Sequence, residues 1–280
     1  MTIDKATSDR FVVVNDVELH FNEAGSGPAL LCFHGGGPGA NAWDNTRFNF
    51  ETLAEHFRVL LIDLPGFGES DKTARVPDNE TIDEYIADMM AGLLDILEID
   101  RAHFYASSFS GPFALRFALN YPERTGKLIL QASSSIIGQP LMLSPRPSPG
   151  IQALGKFWDN PTKENMQAIM EFFIPDPELR SVELVERRYE SAMTPGHLEA
   201  SRHLVDGSRL SHLERDVAKL KTETLLLWGR QDWMVPVEGV LRALSEIPHL
   251  QVHIWSEAGH FVQYEKRDEF NRLVIAFLTH

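Results

Sequence analysis

Residues 106–111 read Ala106-Ser107-Ser108-Phe109-Ser110-Gly111 and lie between two apolar runs of different period. The run before them, 102–106, is short and typical of a buried strand, whereas the run after them, 111–121, has helical spacing. The same change of period recurs along the chain. We therefore predict βαβ units and a mostly parallel sheet, which is an α/β fold. The other predicted strands cover residues 10–15, 17–22, 29–33, 57–63, 127–133, 224–228 and 251–255, and two further helices cover 81–98 and 268–278.

The strand-to-helix turn at residues 106–111 has a steric requirement that identifies its central residue. Such a turn needs small residues two positions before and two positions after its centre, because larger side chains would clash with the strand and the helix. Centred on Ser108, those positions hold Ala106 and Ser110. Centring on Ser107 would place Tyr105 at the first of them. Ser108 is therefore the candidate nucleophile.

A glycine-rich loop, His34-Gly35-Gly36-Gly37-Pro38-Gly39, follows the predicted strand 29–33. Glycines let the backbone come close to a reacting carbonyl, and backbone N–H groups can stabilise an oxyanion there. We predict an oxyanion hole formed by the N–H of Phe109 with that of Gly36 or Gly37. The alternative is a loop that is merely flexible. We expect the adjacent His34 to have a structural role.

Two polar motifs follow the last two predicted strands. Residues 228–232 end in Asp232, and residues 258–261 contain His260. Serine is a weak nucleophile at neutral pH, so a histidine must take its proton and a carboxylate must orient that histidine. Parallel strands collect such residues at their carboxyl ends. We predict Ser108 as the nucleophile, His260 as the base and Asp232 as the acid. Asp63, which also follows a strand, is the alternative acid.

Composition limits the other functional classes. The chain has 280 residues, is 43% apolar and has a formal net charge of −14, which argues against nucleic-acid binding. Its single cysteine, Cys32, lies in an apolar strand and cannot form an intrachain disulfide. Neither a metal-ligand motif nor a phosphate-binding loop is present. We expect no metal, no cofactor, no membrane span and a cytoplasmic location.

The pattern changes between residues 136 and 210. A proline-rich stretch, 140–149, leads into helical segments with no convincing strand between them. We predict a first part of the core at 1–135, a helical lid at 136–210 and a second part of the core at 211–280. A separate C-terminal domain is the poorer alternative, because its two strands are too few for a sheet of their own.

In these motifs the chain resembles the meta-cleavage-product hydrolases. These are enzymes with the α/β-hydrolase fold that cleave carbon–carbon bonds in bacterial aromatic degradation. The resemblance spans nearly the whole chain, and the long Gly-Gly-Gly-Pro-Gly-Ala loop is its most specific part. The matching segments are Asn22–Gly25, His34–Ala40, Ile99–His103, Gly126–Leu130, Trp228–Asp232 and Asp268–Ile275.

The resemblance implies a substrate of the 2-hydroxy-6-oxo-hexa-2,4-dienoate type, a small molecule with a carboxylate. It implies cleavage next to the distal ketone, giving a 2-hydroxydienoate and a carboxylic acid. It also implies that Asn45 and Arg188 hold the dienoate end, that no cofactor is required and that the enzyme is a homo-oligomer. Arginine suits this role because its guanidinium binds a carboxylate bidentately.

The chain departs from the family around the same pocket. Ser107 stands where the family has an asparagine before the nucleophile, and Ser110 replaces a glycine after it. Phe261 replaces the usual tryptophan after the catalytic histidine, which removes an indole N–H donor. We expect both Ser107 and Phe261 to contribute to the substrate-binding site.

Two other functions fit the same residues. A carboxylesterase or lactonase would use the same three catalytic residues. A non-catalytic small-molecule receptor could retain them without turnover. Turnover of a dienoate and of a short p-nitrophenyl ester would separate the three hypotheses.

Overall fold

The computed structural model describes residues 3–133, 147–206 and 209–280. Within them, eight strands form one sheet in the order β1-β2-β4-β3-β5-β6-β7-β8. Pairing is antiparallel between β1 and β2 and between β2 and β4, and parallel elsewhere. The predicted mostly parallel sheet is confirmed. The strands are Asp9–Val14 (β1), Val17–Ala24 (β2), Ala29–Phe33 (β3), Arg58–Ile62 (β4), Ala102–Ser107 (β5), Thr125–Gln131 (β6), Thr224–Gly229 (β7) and Leu250–Trp255 (β8).

Helices cover both faces of this sheet. Strands β3 and β7 are therefore buried along their whole length, as expected for parallel strands covered on two sides. The hairpin between β1 and β2 turns at Asn15 and Asp16, which both have positive φ and so match the twist of the flanking strands. The helices are Lys5–Ser8 (α1), Ala42–Ala54 (α2), Ile82–Ile96 (α3), Gly111–Asn120 (α4), Pro149–Asp159 (α5), Lys163–Phe173 (α6), Val182–Ala192 (α7), His197–Asp206 (α8), Gly239–Glu246 (α9), Val262–Glu265 (α10) and Arg267–Thr279 (α11).

The sheet order fixes where a site can form. Strand β3 lies between β4 and β5. The strand that follows β3 in the chain is therefore on one side of it and the next strand is on the other side, so the strand order reverses at β3. Loops that leave the carboxyl ends of neighbouring strands at such a reversal splay apart and leave a crevice. The loop after β3 is the glycine-rich one, and the turn after β5 contains Ser108.

Helices α5 to α8 form an insertion between β6 and β7. The insertion has an apolar core of its own, which includes Phe157, Met170 and Phe173. Met234 and Phe261, from the loops after β7 and β8, belong to the same core. The insertion therefore packs on the segments that contain Asp232 and His260. Its predicted first boundary, 135/136, lies outside the described residues.

Helix α3 begins one residue later than predicted, at a capping box in which Thr81 and Glu84 exchange hydrogen bonds. The sequence patterns did not indicate helices α2 and α9. None of the described helices is long and apolar enough to cross a bilayer.

Gly229, at the end of β7, gives a test of the packing between the last two strand ends. A Cβ at this position would lie 2.0 Å from the Gly259 carbonyl oxygen and 2.3 Å from that of Ala258. We expect Gly229→Ala to destabilise the protein by about 1–3 kcal/mol through overpacking. Gly155→Ala is the matched control, since a Cβ at this position would meet nothing within 4 Å. This substitution should stabilise α5 by about 0.5–1 kcal/mol, because alanine favours a helix more than glycine does. Urea unfolding measures the change in stability of both variants. Equal unfolding midpoints for Gly229→Ala and Gly155→Ala would contradict the packing argument.

Candidate active site

Ser108 occupies a strained turn directly after β5. Its φ of 52° lies in the left-handed region, which costs a non-glycine residue about 1–3 kcal/mol and persists only where the surroundings fix it. Ser133 Oγ donates a hydrogen bond of 2.8 Å to the Ser108 carbonyl. Ala106 and Ser110 are fully buried, so a larger side chain at either position would have no room. The turn thus presents Ser108 beyond the end of the strand.

His260 and Asp232 form a buried hydrogen-bonded pair. His260 Nδ1 lies 2.7 Å from Asp232 Oδ2. The other carboxylate oxygen accepts hydrogen bonds from the N–H groups of Met234 at 2.8 Å and Val235 at 2.9 Å. A carboxylate can only accept, so the Nδ1 proton stays on the imidazole and Nε2 is left as the basic nitrogen. This arrangement suits a general base.

Asp63, the alternative acid, does not pair with His260. Its Oδ2 is 2.8 Å from His20 Nδ1, and it accepts from the N–H groups of Ala42 and Glu69. Asp63 thus joins three segments of the core, and the carboxylate next to His260 is that of Asp232.

Ser108 and His260 line one cavity of about 180 Å³. Gly36, Gly37 and Phe109 line it too. A Cβ on Gly36 would lie 2.9 Å from Phe109 Cβ, so only glycine permits this approach of the two loops. The structure therefore brings the predicted oxyanion residues and the predicted nucleophile to one wall of the cavity.

Two buried histidines hold the glycine-rich loop in place. His34 Nδ1 lies 2.6 Å from the Gly35 carbonyl, and its Nε2 accepts from the Leu64 N–H. His197, in α8, accepts a hydrogen bond of 2.8 Å from the Gly39 N–H. Burial lowers the pKa of both, that of His197 to about 3, so both rings are neutral acceptors. Sequence reasoning missed His197, because nothing local links α8 to this loop.

Arg188, in α7, is a cation without a carboxylate partner among the described residues. Its Nε is buried with no hydrogen-bond partner, and its Nη2 lies 3.4 Å from the Gly36 carbonyl. Burial lowers the pKa of Arg188 to about 10, so it stays charged at neutral pH. The adjacent Arg187 differs, since its guanidinium is paired with Asp44 at 2.7 Å.

A second cavity, of only about 10 Å³, is lined by three of the four predicted substrate-binding residues. Asn45, Arg188 and Phe261 line it together with His260. Gly36, Phe173 and His260 border both cavities, which therefore meet beside His260.

Ser107 has a different position. It is fully buried and is not among the described residues that line either cavity. Its hydroxyl lies 3.4 Å from Gln131 Nε2. The same amide group donates to the His260 carbonyl at 3.1 Å and to Gln263 Oε1 at 2.7 Å. Gln131 thus links Ser107 to the loop 256–261 that contains His260, which we call the histidine loop. The position of Gln131 at the end of β6 was the sequence signal that could have identified it.

Phe173, the last residue of α6, is the main contact that sequence reasoning missed. Its carbonyl accepts from the His260 N–H at 3.0 Å and the Phe261 N–H at 3.2 Å. Its ring stacks on His260 with centroids 5.3 Å apart and on Phe261 at 4.6 Å. The Arg188 guanidinium lies 4.8 Å from the same ring. One residue of the insertion therefore contacts both the base and the cation.

Asp9, His20 and Glu69 are a group of described residues whose possible ligand atoms lie within 4.8 Å of one another. Lys5 pairs with both carboxylates, so its ammonium already supplies the positive charge there. His20 in turn contacts Asp9 and Asp63 through its two ring nitrogens. This group therefore functions as an ion-pair cluster.

The chain has extensive similarity to known proteins. The family model for the alpha/beta hydrolase fold matches residues 28–267. A 2-hydroxy-6-oxo-6-phenylhexa-2,4-dienoate hydrolase of Comamonas testosteroni is 36% identical over 271 residues, which cover 95% of this chain and 92% of the relative. A 2-hydroxy-6-oxononadienedioate/2-hydroxy-6-oxononatrienedioate hydrolase of the same species is 34% identical over 288 residues, with coverage of 99% and 98%.

The solved structures agree with these relatives. A mutant meta-cleavage product hydrolase from Pseudomonas fluorescens, complexed with acetates, matches with a TM-score of 0.84 and 30% identity. The match covers 96% of this chain and 97% of that structure. The predicted fold and the predicted family are thereby confirmed. The chain belongs to the α/β-hydrolase family and, within it, to the meta-cleavage-product hydrolases.

Proposed function

We propose that the chain cleaves a carbon–carbon bond in a 2-hydroxy-6-oxo-hexa-2,4-dienoate with an apolar group on its distal ketone. The observation that supports this most directly is the meeting of two unlike cavities beside His260. One contains the unpaired cation of Arg188, and the other is mainly apolar. A dienoate has a carboxylate at one end and a ketone at the other. Its charged end suits the cation of Arg188 and its apolar end suits the larger cavity, so binding requires the 10 Å³ cavity beside Arg188 to widen.

Ser108, His260 and Asp232 are the proposed catalytic residues. His260 Nε2 takes a proton during attack on the distal carbonyl, and Asp232 stabilises the imidazolium through the Nδ1 hydrogen bond. The N–H groups of Phe109 and of Gly36 or Gly37 stabilise the charge on the carbonyl oxygen. After ketonisation of the dienoate, water is consumed, and a 2-hydroxydienoate and a carboxylic acid leave.

Arg188 and Asn45 are the proposed partners of the substrate carboxylate. Arg188 has unused donors in a cavity that Asn45 also lines. Phe261 forms part of the same wall. Ser107 would act on this site through Gln131, which also contacts the His260 carbonyl.

The apolar cavity would hold the group that leaves as the carboxylic acid. Eight of its wall residues are large and apolar, and His260 is the only titratable side chain among the described residues that line it. A phenyl or alkyl group fits such a wall, whereas a second carboxylate would be buried without a cation. The large apolar side chains are Phe109, Ile151, Leu154, Trp158, Phe173, Val205, Met234 and Val235.

The helical segment, with the predicted bounds 136–210, would act as a lid. Helices α5 to α8 supply Leu154, Phe173, Arg188 and Val205 to the two cavities, so closure of the insertion completes the site. We retain the expectation of a cytoplasmic enzyme and that of a homo-oligomer, the second of which the family resemblance implies. Leu241 and Leu244 of α9 are exposed apolar side chains of the kind that subunit interfaces bury.

The catalytic assignment can be tested by substitution. We expect Ser108→Ala and His260→Ala each to lower kcat by about 10⁴-fold or more, because neither residue works without the other. The double variant should be no slower than the single ones. Steady-state kinetics on a 6-phenyl dienoate, with circular dichroism as the folding control, measures this. Near-normal turnover by Ser108→Ala would contradict the assignment.

Arg188 should matter only for charged substrates. Loss of a charge-assisted pair with a buried carboxylate costs about 2–5 kcal/mol, so Arg188→Ala should lower kcat/KM for the dienoate by roughly 30-fold to several thousand-fold. Hydrolysis of a neutral p-nitrophenyl ester should change little. Arg187→Ala is the matched control, because Arg187 pairs with Asp44 instead. Equal losses on both substrates after Arg188→Ala would favour the esterase hypothesis.

The apolar cavity predicts a preference between two substrates. A 6-phenyl dienoate should have a kcat/KM at least about 10-fold higher than a nonadienedioate, whose second carboxylate would lose hydration in this cavity. Initial rates of dienoate disappearance, followed by absorbance, give the ratio. A ratio of one or below would show that the apolar cavity does not hold the leaving group.

A further inference from the structure

We infer that Glu265 is a positioning residue for His260, and that its negative charge both holds the histidine loop and strengthens the base. The inference rests on the proposed role of His260 as the general base. Glu265 ends α10, five residues after the histidine, and makes no contact with either cavity among the described residues.

The Glu265 carboxylate binds the backbone immediately before His260. The Gly259 N–H lies 2.9 Å from Oε1 and 3.1 Å from Oε2, so both oxygens accept from one donor. The Glu265 N–H donates back to the Phe261 carbonyl at 2.9 Å. The loop therefore closes on itself around His260. A hydrogen bond to an ionised carboxylate is roughly twice as strong as one between neutral groups.

The insertion contacts the other side of the histidine loop. A Cβ on Gly259 would lie 2.3 Å from Pro175 Cδ and 3.1 Å from the Phe173 carbonyl oxygen. The His260 N–H donates to that carbonyl at 3.0 Å. Gly259 is thus confined between the insertion and Glu265, and a weaker Glu265 contact would change the position of the His260 backbone.

The surroundings place the ionisation of Glu265 in the working range of a general base. Burial raises the pKa of Glu265 to about 7. The charge of Asp232 raises it further, whereas hydrogen bonds from Gly259 and Phe261 and the charge of His260 lower it. Attraction is mutual, so a charged Glu265 stabilises the imidazolium of His260. As pH falls through about 7 the carboxylate gains a proton, and this stabilisation is lost.

Glu265 also lines a polar groove on the outer surface. Phe48 of α2, Leu179 of the insertion and Tyr264 line the groove beside it. The Tyr264 hydroxyl donates to the Leu179 carbonyl. The charged groups that face the groove are Lys266, Arg267, Asp268, Glu269 and Arg272.

A pH profile separates this role from a purely structural one. Glu265→Gln keeps the shape and an acceptor oxygen but has no charge at any pH. The ratio of wild-type to variant kcat/KM should be near one below pH 6, where wild-type Glu265 is protonated. It should rise through pH 7 to about 10-fold above pH 8, where wild-type Glu265 is charged and the variant is not. A ratio that does not change with pH would overturn the inference.

Glu269→Gln is the matched control. Glu269 lines the same groove, and its carboxylate accepts from Trp255 Nε1 at 2.9 Å. It has no hydrogen bond to the histidine loop among the described contacts. Its wild-type to variant ratio should therefore be constant across the pH range. A rise as steep as that of Glu265→Gln would assign the effect to the groove in general and overturn the role of Glu265.

The amide of Gly259 reports on the contact without turnover. Its ¹H and ¹⁵N shifts in wild type should titrate with a midpoint near pH 7, and the titration should vanish in Glu265→Gln. Absence of this titration in wild type would overturn the inference even if the variant did not fold. Because the measurement needs no substrate, it also stands if the proposed carbon–carbon cleavage is wrong.

Discussion

The N–H groups of His260 and Phe261 both donate hydrogen bonds to one acceptor, the carbonyl of Phe173. That carbonyl is free because α6 ends there, and the last carbonyls of a helix have no partner within it. The end of one helix in the insertion therefore satisfies the backbone next to the proposed base. If the insertion moved away, two buried N–H groups would lose their partner, and the loop would have to rearrange. The geometry of His260 thus depends on the closed position of α6.

The same helix end also makes the Arg188 charge tolerable. A buried cation without a counterion is costly, since it loses its hydration. The ring of Phe173 lies 4.8 Å from the guanidinium, and that of Phe261 lies 5.9 Å away. Aromatic faces attract a cation but use none of its hydrogen-bond donors. Arg188 therefore keeps its charge and its donors, which is the condition that a carboxylate-binding site requires.

The sequence was sufficient to predict a site residue wherever a local pattern determines the structure around it. The steric requirement of the turn identified Ser108, and the ends of the last strands identified Asp232 and His260. Helix α2 escaped prediction because its buried face includes the polar residues Thr46 and Asn49, which interrupt the apolar period. The contacts of Phe173 were equally hidden. They use a backbone carbonyl that every residue has, and they form only when distant segments meet.

Among three carboxylates near this edge of the core, Asp63 and Asp232 each accept three hydrogen-bond donors, whereas Glu265 accepts fewer. Asp63 is buried, which alone would raise its pKa, but hydrogen bonds from His20 and from backbone N–H groups hold the pKa below its ordinary value. Asp232 accepts two backbone N–H groups and the His260 ring. Burial raises the pKa of the partly buried Glu265 to about 7, and its fewer donors do not offset that effect. The donors of Asp63 thus favour its charged form and a structural role, whereas Glu265 changes its charge near neutral pH.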